Sequence, residues 1–226
     1  MRSLIGTPVR EARCLFNHTR VASNNRTLVR HPIEQPGSWE GQYMGNWQLD
    51  PYHTQVEFAA KHLGMMTVRG HFSDITSTAD IDPDHLETMR VEVTIQSASI
   101  RTHNEVRDND VRSENFLDTD NFPTMTFKST AIEAAGEDRY TVTGDLTIKG
   151  TTRSVALQMT KLGEFNDPMM GHRIGYSGSA KINRKDFGLT FNPVLDGRFV
   201  VSDEINISLE GELVEQVEET EQTTAS

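Results

Sequence analysis

Cysteine pairs, long apolar runs and an excess of positive charge are all missing from this chain, and each absence excludes a class of protein. Cys14 is the one cysteine, so an internal disulfide and a cysteine-based zinc cluster are excluded. No apolar run approaches the ~20 residues of a membrane-spanning helix. The first 40 residues also lack the apolar core of a signal peptide. We therefore expect no integral membrane segment and a cytoplasmic location.

The charge balance is acidic, with 33 Asp and Glu against 22 Lys and Arg and a formal net charge of −11. Phosphate backbones are bound by clustered Lys and Arg, so the sequence predicts no nucleic-acid partner and disfavours an anionic membrane surface. The eight histidines are scattered, without an HxH or HExxH motif, and no phosphate-binding glycine loop is present. We expect no metal, no cofactor and no catalytic residue.

Both ends of the chain differ from its centre. Residues 1–43 carry six Arg and three acids, giving +3, which leaves −14 for residues 44–226. A disordered basic arm and an organellar transit peptide both fit this composition. We favour a third interpretation, a start at Met44, because the codons of Trp39, Glu40 and Gly41 can form a purine-rich ribosome-binding site; native peptides from before Met44 would contradict it. Residues 215–226 are acidic, lack aromatics and are predicted to be disordered.

Between these ends, residues 44–214 alternate between apolar and polar side chains, which is typical of half-buried β-strands. Turns are predicted near Gly64, at residues 80–85, at residues 135–137 and at Lys149-Gly150, and a long loop at residues 163–171. About eight antiparallel strands with one apolar face each can bury those faces by closing into a barrel. The sequence therefore predicts an all-β fold, an antiparallel barrel of about eight strands.

Small residues recur on the apolar faces of these strands: Gly70, Gly144, Gly178, Ala180 and Gly211. A glycine within a strand is consistent with a bulge or tight bend, or with space inside the barrel. Five such positions favour an under-filled interior. An apolar cavity in an acidic protein suits a lipid-like ligand, because each buried methylene contributes about 0.8 kcal/mol.

The segment from Thr102 to Pro123 interrupts the alternation. Thr102 and Glu105 have the spacing of a capping box, so a short helix is predicted to begin there. Asp108 and Arg112 follow at i,i+4, and Pro123 ends the helical piece. Two interpretations are open: a solvated helix that closes one end of the sheet, and a lid whose charges face a ligand.

Three motifs stand out in the sequence: H-x3-R-D-x3-R-S-x2-F-L-x4-F-P from His103 to Pro123, W-x-L-D with H-x2-V-x-F-x3-H-L-G from Trp47 to Gly64, and Y-x-V-T-G-D-L-T-I-x-G-x-T-R-x-V from Tyr140 to Val155. Together they resemble the YceI-like family of lipid- or polyisoprenoid-binding proteins. The resemblance covers residues 45–214. It implies an extended, lipocalin-like barrel that holds an isoprenoid chain in its lumen, usually as a homodimer. Many members are exported with a signal peptide, which was not found here.

The resemblance and the alternation together suggest which residues contact such a lipid. Two groups are expected: apolar side chains around the tail and polar side chains near the mouth, where Asp108 would hold Arg112. The first group is Phe58, Val93, Ile95, Phe116, Phe127, Leu146, Gly178, Ile182 and Phe187, and the second is His103, Arg107, Asp108 and Arg112.

Two functions remain open at this point. Binding, storage or transport of a polyisoprenoid or similar lipid requires only the cavity. An enzyme acting on an isoprenoid would need an acid or base inside the barrel, with His103 or His62 as candidates. The binding function is favoured, because alternation alone identifies no inward-facing titratable pair.

Overall fold

A computed structural model describes residues 45–216 except 83, 84, 86 and 87. The predictions for residues 1–43 therefore fall on residues outside the described part. The described chain forms thirteen strands, one α-helix and two 3-10 turns, at Ser97–Ser99 and Arg184–Phe187. The helix is α1 (Glu105–Arg112), and the strands are β1 (Gly45–Leu49), β2 (Gln55–His62), β3 (Met66–Phe72), β4 (Ile75–Ile81), β5 (Arg90–Gln96), β6 (Ile100–Arg101), β7 (Thr124–Gly136), β8 (Arg139–Ile148), β9 (Thr151–Asp167), β10 (Gly171–Asn183), β11 (Val194–Leu195), β12 (Arg198–Phe199) and β13 (Val201–Gln216).

Eight antiparallel strands close into a barrel, which confirms the predicted fold. Their order is β1-β4-β5-β7-β8-β9-β10-β13, and β13 pairs back onto β1 through Trp47 and Glu215. The first part of β13 instead pairs with β2, which continues through β3 to β6. This extension places α1 at one end of the barrel, because β6 leads into the helix. Strand β13 also includes Glu215 and Gln216, which the sequence assigned to the disordered tail.

Two local features of the sheet differ from the sequence predictions. Strand β4 was not predicted, because its inward residues include Ser77 and Ala79 and give little apolar contrast. The long loop predicted at residues 163–171 is wrong: β9 and β10 run through it and leave only Pro168–Met170 as the turn. Glu164 and His172 occupy inward positions near this turn. Because both are polar, the sequence shows no alternation of apolar and polar residues there.

The inward-facing side chains form two separate apolar clusters. One, at the β1 end, contains Trp47, Ile81, Ile132, Ile174 and Leu213 among its buried members. The other, at the α1 end, contains among its buried members Phe72, Ile100, Leu117, Met125, Ile148 and Phe187. Between them lies a middle layer of inward-facing residues that belong to neither cluster, namely Ser77, Val93, Phe127, Leu157, Met159, Gly178, Ala180, Ile207 and Leu209.

The strand glycines do not leave empty space beside themselves, so that part of the sequence argument is wrong. A Cβ on Gly70 would lie 2.5 Å from the ring of Phe58, and one on Gly144 would lie close to Phe127. A Cβ on Gly178 would meet the thioether of Met159. Side chains of neighbouring strands lie across these glycines, so a larger residue at any of them would have to displace its neighbours.

Gly144 provides a test of this close packing. A Cβ there would lie 2.6 Å from the backbone oxygen of Lys128, an atom that cannot rotate away. We expect Gly144→Ala to lower the unfolding temperature by about 5–10 °C, since overpacking costs ~1–3 kcal/mol. Gly163→Ala is the matched control, because no atom lies within 4 Å of its Cβ position. Equal melting temperatures for both variants in calorimetry would contradict the packing described here.

Candidate functional site

The middle layer is apolar and partly open. Val93, Leu157, Met159, Ile207 and Leu209 point into the barrel, yet all five are only partly buried. Their outward neighbours Ala156, Gln158, Asn206 and Ser208 are exposed, as expected for the outer face of a strand. The middle layer therefore keeps apolar surface on its inward face that neither cluster covers completely.

The predicted tail-contacting residues divide into three groups. Phe58, Ile95, Leu146 and Ile182 are partly buried and pack against the α1-end cluster, while Val93 and Gly178 lie in the middle layer. Two further members of these groups are buried: Phe127 of the middle layer and Phe187 of the α1-end cluster. Phe116 follows α1 and is partly buried, and its ring meets that of Phe191 edge-on at 5.6 Å.

The polar residues of α1 form a hydrogen-bonded network with the chain that precedes the helix. Asp108 is buried, and its Oδ1 accepts hydrogen bonds from the Thr102 backbone N–H at 2.8 Å and from the Thr102 hydroxyl at 2.5 Å. Arg107 donates from Nε to Thr102 Oγ1 and from Nη2 to the Thr102 carbonyl. This network attaches α1 to the segment that leaves β6.

Two details of this helix were predicted wrongly. The N-cap is Asn104, whose side chain accepts from the Arg107 backbone N–H, and not Thr102, whose hydroxyl serves Asp108. His103 has a φ of 60°, so the chain turns between Thr102 and the helix and removes Thr102 from the capping position. Arg112 is held by the carbonyls of Ala98 and Ile100, not by Asp108.

The charge of Asp108 is stabilised by its surroundings. Burial alone would raise the pKa of Asp108, but the two hydrogen bonds from Thr102 and the positive charges of Arg112 and Arg101 outweigh it. The pKa of Asp108 therefore lies below its usual value. The carboxylate is thus ionised in the folded protein at neutral pH.

A second polar group lies inside the barrel at the β1 end, where sequence reasoning identified no titratable pair. His172 is buried; its Nε2 lies 2.6 Å from Glu164 Oε1 and its Nδ1 lies 3.0 Å from Glu215 Oε2. Lys161 also pairs with Glu164, and the hydrogen bond from Lys161 leads the causes that lower the pKa of this carboxyl. With both ring nitrogens bound to carboxylates, His172 has no free nitrogen to exchange a proton with a ligand.

Two tyrosines pack beside this group, against the β1-end cluster. Tyr140 and Tyr176 are inward-facing and partly buried. Burial raises the pKa of Tyr176 to about 12, with further contributions from Tyr140, Glu164 and Asp138. Tyr176 is therefore a neutral phenol at physiological pH. Both tyrosines lie on faces that the alternation had already identified as apolar, which is the signal that could have found them.

Outside the barrel, Asp50, His53 and Glu212 bring ligand atoms within 4.8 Å of one another. Arg173 Nη1 lies 2.7 Å from Asp50 and 2.8 Å from Glu212, and so supplies the positive charge at this cluster. Hydrogen bonds from Arg173 and then His53 hold the pKa of Asp50 well below its usual range. A metal ion at this cluster would have to displace the Arg173 guanidinium. The expectation of no metal stays a prediction.

The histidines considered for an enzymatic role lie at the surface. His62, at the end of β2, is exposed, and so is His103, whose ring centre lies 6.1 Å from that of His71. No helix among the described residues has the length and apolar character needed to cross a bilayer.

Comparison with known proteins agrees with this architecture. The model of the YceI-like domain matches residues 47–213. A UPF0312 protein of Pseudomonas paraeruginosa is 39% identical over 137 residues, which are 61% of this chain and 71% of that protein.

Two solved structures share the fold. The YceI protein of Campylobacter jejuni superposes with a TM-score of 0.61 at 32% identity, covering 70% of this chain and 90% of its own. A polyisoprenoid-binding domain from Saccharophagus degradans superposes with a TM-score of 0.56 at 16% identity, covering 76% of this chain and 99% of its own. The matched region contains α1 and at least part of each of the eight barrel strands, and the chain belongs to the YceI-like domain family.

Proposed function

We propose that this protein binds a polyisoprenoid or a similar long-chain amphiphilic lipid inside the barrel, and stores or transports it without altering it. The observation that carries the proposal is the middle layer, in which Val93, Leu157, Met159, Ile207 and Leu209 point inward and remain only partly buried between the two apolar clusters. A long apolar chain along this layer would gain about 0.8 kcal/mol for each methylene removed from water.

The ligand class is supported from two directions. The middle layer offers apolar contact without charged side chains, which suits a hydrocarbon chain more than a polar metabolite. The Saccharophagus degradans domain, which shares this fold, is described as polyisoprenoid-binding. An isoprenoid chain is a long hydrocarbon with a methyl branch on each five-carbon unit, and the apolar side chains of the middle layer can contact it without polar partners.

We assign different roles to the two predicted groups of residues. Tail contacts would come from Phe58, Val93, Ile95, Leu146 and Ile182, together with Leu157 and Met159 of the middle layer. Arg107, Asp108 and Arg112 would hold α1 across the barrel end through their bonds to Thr102, Ala98 and Ile100. His103, exposed beside His71, would face a headgroup at that end.

Binding without catalysis is the simpler function for these side chains. His172 is the buried histidine of the described chain, and both of its ring nitrogens are engaged by carboxylates. His62 and His103 are exposed to solvent. A histidine at the surface is not positioned to exchange a proton with a lipid chain inside the barrel.

Extraction of purified protein with organic solvent, followed by mass spectrometry, tests this function. We expect a co-purified isoprenoid-type lipid, or uptake of a prenylated quinone offered to delipidated protein at about one molecule per barrel. Conversion of the offered lipid to a product would contradict the non-enzymatic part of the proposal. If the protein neither co-purifies with a lipid nor takes up the prenylated quinone, the proposed lipid-binding function is wrong.

A further inference from the structure

One buried hydrogen-bond donor at the β1 end of the barrel has no partner. Trp47 is 1% exposed and lies in the β1-end cluster. Its indole Nε1–H finds no acceptor among the residues that the structure describes. A buried tryptophan N–H usually has a partner, because otherwise it loses the hydrogen bonds that it makes to water in the unfolded chain. An acceptor that is not part of the described chain is therefore expected beside Trp47.

Two phenol hydroxyls at the same end are also without a hydrogen bond. Tyr140 and Tyr176 face inward and pack against the cluster that contains Trp47. Within the described part of the chain, neither hydroxyl makes a hydrogen bond. Burial raises the pKa of Tyr176 to about 12, so this hydroxyl keeps its proton and can donate it to an acceptor. We call Trp47, Tyr140 and Tyr176 the donor group.

The donor group borders the middle layer. Tyr140 on β8 pairs with Met159 on β9, and Tyr176 lies two residues before Gly178 on the same face of β10. Met159 and Gly178 both belong to the middle layer. A lipid chain along that layer would therefore reach the two hydroxyls at its β1 side, beside the cluster that contains Trp47.

The charged side chains at this end favour an uncharged ligand group. Lys161 and His172 pair with the carboxylates of Glu164 and Glu215. An anionic headgroup such as a phosphate would meet these carboxylates and would find no uncommitted cation in this network of described side chains. A carbonyl oxygen carries no formal charge and accepts hydrogen bonds through two lone pairs, so it matches the donors that are present.

We propose that the donor group binds an uncharged, carbonyl-bearing headgroup of the enclosed lipid, such as a quinone ring. The indole N–H and the two hydroxyls donate to its carbonyl oxygens, and the hydrocarbon chain extends through the middle layer. This proposal rests on the proposed lipid-binding function and adds the chemistry of the headgroup. For a lipid with a single headgroup, the donor group and the surface beside His103 at the α1 end are alternative positions, which the experiment distinguishes.

Uptake of two probes by delipidated full-length protein tests the proposal. One probe is a prenylated benzoquinone, and the other carries the same prenyl chain on a benzene ring without oxygen. We expect the wild-type protein to bind the quinone about tenfold more tightly than the oxygen-free probe. The double variant Tyr140→Phe, Tyr176→Phe keeps both rings but lacks both hydroxyls. It should lose most of this preference and keep its affinity for the oxygen-free probe within about twofold.

Tyr52→Phe is the matched control, because Tyr52 is 92% exposed and loses the same hydroxyl at the surface. It should keep the wild-type preference for the quinone. Equal affinity of the wild-type protein for both probes would overturn the role of the donor group and leave lipid binding intact. Loss of the preference in His103→Ala but not in the double variant would place the headgroup at the α1 end and overturn it too. Failure to bind either probe would contradict the lipid-binding function itself.

The indole N–H of Trp47 provides a second measurement that requires no substitution inside the barrel. The chain has two tryptophans, so Trp39→Phe identifies the Trp47 signal in a nitrogen–proton correlation spectrum. Quinone binding should move the Trp47 indole proton downfield, because the proton enters a hydrogen bond, and the oxygen-free probe should not. An indole signal that moves equally with both probes would contradict the proposal. Circular dichroism on each variant establishes that the barrel is folded before affinities are compared.

Discussion

Replacing Leu157 by tryptophan should reduce the amount of bound lipid at least tenfold, because the indole would occupy the middle layer that the ligand chain requires. A tenfold loss corresponds to about 1.4 kcal/mol, less than the contribution of two buried methylenes. Leu157 is inward-facing and partly buried, opposite Val142 on β8, and belongs to neither apolar cluster. The measurement is lipid per protein after extraction, or uptake of a fluorescent prenyl analogue.

Gln158→Trp is the matched control, since this neighbouring residue of β9 is exposed on the outer face. It should retain wild-type lipid content. Val93→Trp, from a strand three positions away around the barrel, should repeat the effect of Leu157→Trp if the interior is one space. Should Leu157→Trp and Gln158→Trp carry the same lipid as wild type, the ligand does not lie along the middle layer.

A bulky residue at Gly178 would be a less direct test of the middle layer. A side chain there would first meet Met159, whose thioether lies across the glycine, and then Leu209. Methionine is flexible and can move, but loss of binding in Gly178→Phe would combine a filled interior with displaced packing. Leu157 is the better position, because it already has a side chain that points into the middle layer.

Asp108→Ala should lower the unfolding temperature at pH 7 by about 5–15 °C. The substitution leaves the Thr102 N–H and hydroxyl without their acceptor in a buried position, a loss of about 2–4 kcal/mol. Asp110→Ala is the control on the same helix, because Asp110 is exposed. Thermal unfolding by circular dichroism measures both. Similar melting temperatures for the two variants would show that the network around Asp108 does not hold α1.

The pH dependence of this difference has a defined sign. The pKa of Asp108 is lower in the folded protein than in the unfolded chain, so its contribution to stability is complete above the unfolded value, near 3.9, and declines as pH falls towards the folded value. The gap between wild type and Asp108→Ala should therefore be widest near neutral pH and narrow below about pH 4. A gap that widens on acidification would contradict this assignment.

Strand periodicity was sufficient to predict the barrel, because alternation depends only on which side of a strand each residue occupies. Val91, Val93 and Ile95 predicted β5, and Lys149-Gly150 predicted the tight turn between β8 and β9. Periodicity failed where inward positions are polar or small. Glu164 and His172 inside the β9–β10 hairpin looked like a loop, and the small inward residues of β4 gave no signal.

The family motifs located α1 but not the function of its polar residues. Asp108 and Arg112 at i,i+4 suggested an ion pair, whereas each of them instead bonds to the chain before the helix. Spacing along one helix cannot show which other segments approach it. The positive φ of His103, which moves the cap to Asn104, likewise depends on the path that β6 imposes on the chain.

The amino-acid sequence by itself determined the strand class, the closed antiparallel sheet and the family, because all three follow from local patterns and short motifs. Only the tertiary structure decided how the barrel is filled. It placed neighbouring side chains across the strand glycines, gathered the apolar residues into two clusters at opposite ends, and left a partly open layer between them. Those arrangements depend on the stagger between strands far apart in the chain, which no local pattern encodes.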